Sequence, residues 1–205
     1  VFIGNFTGHE NVAGAGNSFV GFRAGYYNTG SQNSFFGYYA GENNKAGDYN
    51  LYMGPYAGRG VAGGATGMNN VFLGNYSGQG ITTGQYNSFV GFQSGRNFTA
   101  GKGNVFMGYQ AGYYADTTSF NVFIGKESGF NNNGGTFNTF LGYTAGRGST
   151  TGDRNIFIGY QAGLVNASGA ANVFIGNGAG KASYANNNVF IGNAAGTKNT
   201  TGYSN

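Results

Sequence analysis

The sequence predicts an all-β fold, a parallel β-solenoid (β-roll) of about twelve coils of 16–20 residues. Three observations carry that expectation. The motif Asn-x-Phe-x-Gly-x-x-Ala/Ser/Thr-Gly recurs along the whole chain, as at 104–112, 121–129 and 172–180. Its asparagines fall 17 residues apart in most copies, 16 in a few and 20 in one. The 43 glycines are phased with the motif rather than scattered, which makes them turn positions. Composition agrees: 19 Phe and 16 Tyr are too many aromatic side chains for a disordered, glycine-rich segment.

Each element follows from its place in the repeat, counted from the motif asparagine as position zero. Positions +1 to +3 are β-branched, aliphatic and aromatic, which favours a short strand. Position +2 is Phe2, Phe19, Phe35, Tyr52, Phe72, Phe89, Phe106, Phe123, Phe140, Phe157, Phe174 and Phe190. Position +3 is Ile3, Val20, Phe36, Met53, Leu73, Val90, Met107, Ile124, Leu141, Ile158, Ile175 and Ile191. Glycine at +4 and +8 occurs in every copy and excludes a helix of useful length between them. The expected coil is a strand, a glycine corner, a second extended piece around +5 to +7, another corner and a loop. Coils stacked about 4.8 Å apart would build a rod of roughly 60 Å. The recurrent asparagine has two readings: an amide ladder from coil to coil, or a simple turn former.

Successive strand residues point to opposite faces, so +1 and +3 share one face and +2 takes the other. The preferred assignment places the +2 rings in a core stack and the +3 side chains, with +1, on an interchain seam. The reverse assignment stays open. An uncovered apolar stripe would exceed what soluble monomers usually expose. The expected partner is therefore another copy of the chain, closed by rotational symmetry or joined in a filament.

The 205 residues read as a single repeat domain, 1–205, entering a motif at Val1 and ending at Asn205, and expected to be part of a longer fibre. With no cysteine there is no disulfide and no thiolate metal site. A net charge of +4, with no basic run, argues against nucleic acid as a partner. No apolar stretch is long enough for membrane insertion in this segment. The six acids fall in different coils; Asp48 and Asp153 share a register but would stand about 29 Å apart, too far for a glycosidase pair. His9, the only histidine, has no nucleophile and acid around it. The repeat lacks the aspartates of a calcium β-roll and the lysine of a phosphate loop. No enzyme activity, cofactor or metal is expected.

The motif resembles, at 17–21, 87–91, 121–125, 172–176 and 188–192, the Asn-Ser-Val-Ala-Ile-Gly-type repeats of trimeric autotransporter adhesin heads. It is also similar to glycine-rich repeats of tail-fibre-like and bacterial surface proteins. The resemblance covers all twelve copies and implies a homotrimeric, left-handed β-roll. It also implies an extracellular, cell-surface or virion tail-fibre location, and a cell-surface glycan or protein receptor. The chain departs from those heads in its longer period, its strand Phe and its strict Ala/Ser/Thr-Gly at +7 and +8.

Candidate ligand surfaces are the paired tyrosines Tyr26, Tyr27, Tyr38, Tyr39, Tyr113 and Tyr114, read either as flat platforms for sugars and proteins or as rings stacked on neighbouring coils. Arg59, Arg96, Arg147 and Lys181 share position +9 with Glu42, a sparse basic line or a solubilising one. Loop threonines (Thr29, Thr83, Thr117, Thr151, Thr201) are interrupted by Ala46, Ala100, Gly134 and Ser168, which weakens an ice-binding reading. The copy at Asn50 carries three extra residues near 61–65, either a recognition loop or a tolerated insertion.

Overall fold

The computed structural model describes residues 1–205 as a parallel β-solenoid without helix. The chain divides into two compact units, Val1–Gly103 and Asn104–Asn205. The first unit holds β1 (Phe2–Ile3), β2 (Ser18–Val20), β3 (Ser34–Phe36), β4 (Leu51–Met53), β5 (Val71–Leu73) and β6 (Ser88–Val90). The second holds β7 (Val105–Met107), β8 (Val122–Ile124), β9 (Thr139–Leu141), β10 (Ile156–Ile158), β11 (Val173–Ile175) and β12 (Val189–Ile191). Within each unit, every strand pairs in parallel with the next along the chain, motif upon motif: Phe19 opposes Phe35, and Phe123 opposes Phe140. A parallel pair needs a crossover of a dozen residues or more. The remainder of each coil is that crossover.

The strand ends at the +4 glycine for two reasons. Its φ is far outside the range of other residues, +130° at Gly125. A Cβ there would also lie 2.3 Å from the Gly142 carbonyl oxygen of the next coil. The extended piece expected at +5 to +7 is absent; a succession of turns replaces it. In the coil of β2, the Ala24 N–H donates to the Gly21 carbonyl (3.2 Å), Tyr26 to Arg23 (3.2 Å) and Asn28 to Gly25 (3.0 Å). Arg23 and Gly25 have φ of +53° and +59°. Each is the third residue of its turn, where a type II turn requires positive φ. The intervening N–H groups point along the stack, Arg23 to Asn5 (3.0 Å) and Gly25 to Ala40 (2.9 Å). Backbone donors thus alternate between the coil's own turn and its neighbours, which satisfies a corner that holds no strand.

A side chain in the left-handed region costs roughly 1–2 kcal/mol outside glycine. The repeat nevertheless places one at +6 in nearly every coil, and another at −1, directly before the asparagine; Tyr39, Tyr56 and Gln32 are examples. The inter-coil bonds of those same residues offset the strain: Tyr56 donates to Tyr38 (2.8 Å) and Gln32 to Ala15 (2.8 Å).

The core is four inward columns. The +2 rings stack nearly parallel, with centroids 4.8 Å apart for Phe19–Phe35, Phe106–Phe123 and Phe140–Phe157. That spacing is the interstrand distance; the backbone sets it, not the offset that free rings prefer. Beside the rings lie the small +7 residues, Ala24, Ala57, Ala111 and Ala162 among them. Glycine at +8 lets the corner close on the ring: a Cβ on Gly25 would lie 2.6 Å from Phe19. The third column is the motif asparagine. The fourth, at +11, holds Asn28, Asn44, Ile81 and Phe98 in the first unit, and Asn132, Ser149 and Asn166 in the second. Phe98 there meets Phe89 edge to face at 5.0 Å.

The asparagine column is a ladder. Asn121 donates its backbone N–H (3.0 Å) and its amide (3.3 Å) to Oδ1 of Asn104, and the same amide to the carbonyl of Gly135 (2.9 Å). Asn138, Asn155 and Asn172 continue the pattern, and Asn50, Asn70 and Asn87 repeat it in the first unit. Each amide thereby serves the coils above and below.

Candidate functional site

Three outward surfaces remain once the core is built. The first is the outer face of the strands. Positions +1 and +3 flank each buried ring and face outward, from half-buried at Val20, Ile124 and Ile158 to about 40–50% exposed at Met53 (48%), Met107 (44%) and Leu141 (42%). No ionisable residue occupies either position in any copy. In the first coil, Phe2 (45% exposed) and Ile3 (59%) are open, and so is Ile191 in the last (67%).

The second surface is the corner, where +6 and +9 side chains interleave. Of each tyrosine pair, one ring is packed and the other looks out. Tyr26 stacks on His9 (4.9 Å), Tyr39 on Tyr56 (5.5 Å) and Tyr113 on Phe130 (5.1 Å). Tyr27, Tyr38 and Tyr114 are exposed and meet their partners edge to face. A hydrogen bond with Tyr39, more than the slight loss of solvent, raises the Tyr38 phenol pKa above its usual value.

The basic line at +9 is not bare. Arg147 donates from Nε to Glu127 (2.6 Å) and Arg96 to the Gln79 amide oxygen (3.1 Å). Asp48 and Asp153, the pair sharing a register, are structural acceptors, taking the N–H groups of Ser31 and Thr136 at 2.7 Å each.

The third surface is a cleft of about 750 Å³ in the first unit. Its floor is an ion-paired triad. Glu42 forms an ion pair with Nη2 of Arg23 (3.0 Å) and accepts a hydrogen bond from Nε of Arg59 (2.7 Å), and its side chain is only 4% exposed. The two guanidinium groups lie beside the rings of Tyr26, Tyr39 and Tyr56 at 4.3–5.6 Å. Burial pulls the Arg23 pKa down, but Glu42 and the neighbouring tyrosines outweigh it and hold the guanidinium above its usual value.

The three-residue insertion forms the cleft's overhang. It is pinned at both ends: Gly60 donates to the Gln79 carbonyl (3.1 Å) and Ala65 to the Asn43 carbonyl (2.6 Å). Gly63 at its tip has open space around it.

The triad joins Arg23, at +6, to Glu42 and Arg59, at +9; register alone groups only Glu42 with Arg59, so the sequence does not reveal it. The +11 column is likewise hidden in what reads as loop.

No three His, Asp or Glu side chains gather where a metal could be held. No helix is long and apolar enough to cross a membrane. No family model, curated protein or solved structure matches the chain.

Proposed function

We propose that this chain is a non-enzymatic structural and adhesive fibre domain, working outside the cell, at a cell surface or in a virion tail fibre, and assembling with copies of itself through the outer strand face. One observation carries the reading: an uncharged stripe of +1 and +3 side chains runs along the strands of each unit without cover. Single exposed apolar residues are ordinary, whereas a contiguous stripe marks an interface. A second copy with the same stripe is its natural complement, and closed symmetry hides every stripe at once. The motif's likeness to trimeric adhesin heads favours three copies. Acid–base or nucleophilic chemistry has little to work with, since Glu42 and Glu127 are engaged with arginines and Asp48 and Asp153 with backbone N–H groups.

Light scattering on the purified chain tests the reading. A discrete mass of three chains is the expected result. A mass that grows without limit, with continuous fibres in electron microscopy, favours the filament form of the same idea. A stable monomer at high micromolar concentration overturns it.

A further inference from the structure

We infer that the cleft over the Arg23–Glu42–Arg59 triad binds an acidic saccharide, a sugar bearing a carboxylate. Three features of the site converge on that chemistry.

The first is charge. Arg23, Lys45 and Arg59 line the cleft with Glu42 and Glu10. Glu10 is engaged at the rim by His9 (3.3 Å), and Glu42 is shared between the two arginines. Lys45 is exposed and forms no ion pair. Each guanidinium carries five N–H donors; Arg59 gives its Nε–H to Glu42, while Arg23 is ion-paired with the same carboxylate and hydrogen-bonded to Tyr39. Positive charge and donors are therefore left over, enough for one carboxylate rather than a polyanion. Planar guanidinium forks suit that group.

The second is the rest of the lining. Tyr27 presents an exposed ring, a flat face for the C–H side of a sugar. Asn43 donates its amide to the Gly60 carbonyl (3.1 Å), leaving its side-chain carbonyl to accept from a hydroxyl. An acidic peptide would use the cations but would need neither of these.

The third is preorganisation. The overhang belongs to this coil alone, and hydrogen bonds fix both its ends, so the ordering cost is met before a ligand arrives.

Isothermal titration of the purified chain with galacturonate, glucuronate and mannuronate trimers tests the inference. At least one trimer is expected to bind, and its methyl ester and a triglutamate peptide to bind about tenfold more weakly or less, the scale of one charged hydrogen bond. Lys45→Gln, at an exposed position outside the triad, is expected to weaken binding by about tenfold. Deleting residues 61–63 is expected to weaken it at least as much, with thermal unfolding of Lys45→Gln unchanged as the folding control. Failure of all three trimers, equal binding of the methyl ester or the peptide, or full affinity in Lys45→Gln would each overturn it. The site lies within one chain, so a monomer that binds uronate would sink the fibre reading and leave this one standing.

Discussion

Tyr52 is the only +2 ring that carries a hydroxyl, and the core has no good place for it. Its oxygen comes near Asn70, whose influence lowers the phenol pKa, but forms no hydrogen bond of proper geometry. Burial dominates and pushes the pKa well above the usual tyrosine value of 10.0. Because the folded pKa is the higher one, the neutral phenol favours the folded state. That contribution is whole below about pH 10 and falls away as pH rises further. Tyr52→Phe removes an unpaired polar atom and keeps the ring stack, so it is expected to raise stability by about 1 kcal/mol in urea unfolding. It should also flatten the decline in stability above about pH 10. A loss of stability would show that the hydroxyl has a partner.

At the scale of the element, a three-residue strand is too short to hold a register alone. The asparagine column supplies what the strand lacks, because one side chain bonds the coil before and the coil after. Oδ1 of Asn138 accepts the Asn155 N–H (2.9 Å) and amide (3.2 Å), while its own amide donates to the Gly152 carbonyl (2.8 Å). Asn138→Ala leaves buried donors unmatched on a neighbouring coil. The expected loss is about 2–4 kcal/mol, with faster hydrogen exchange at the Asn155 amide. A loss below about 1 kcal/mol would mean that the residue matters only as a turn former. The corner has a comparable logic. Left-handed residues at +6 are strained singly, yet they aim alternate N–H groups along the stack and bring +6 and +9 side chains into one column, the origin of the Arg23–Glu42–Arg59 triad.

At the scale of the whole molecule, the outer strand face decides whether the chain acts alone. Leu141→Lys places a charge on the proposed seam at an exposed side chain, where the isolated fold has little to lose. The expected outcome is a drop in mass by light scattering with an unchanged far-ultraviolet circular dichroism spectrum. An unchanged mass would move the interface off this face. The cleft, by contrast, depends on one irregular coil. Repetition builds the scaffold, and the one inserted segment supplies the site where a ligand could be told from solvent.

The sequence by itself determined the period, the parallel strand in each coil, and the glycines at +4 and +8. These are local properties repeated: a β-branched and aromatic triplet, bounded by residues that alone tolerate the required φ or closeness. It left the asparagine open between ladder and turn, because only the height of one coil above the next decides whether an amide reaches both neighbours. The tertiary structure alone decided the turns at +5 to +7 and the left-handed non-glycine residues at +6 and −1. No residue preference marks those positions, since Phe, Arg, Tyr, Gln and Thr all occupy them and their conformation is imposed by inter-coil hydrogen bonds. It likewise decided the +11 column, the acceptor roles of Asp48 and Asp153, and the enclosure of Glu42 between Arg23 and Arg59. Each of these joins side chains from different coils at different registers, and that relation exists only after the coils are wound.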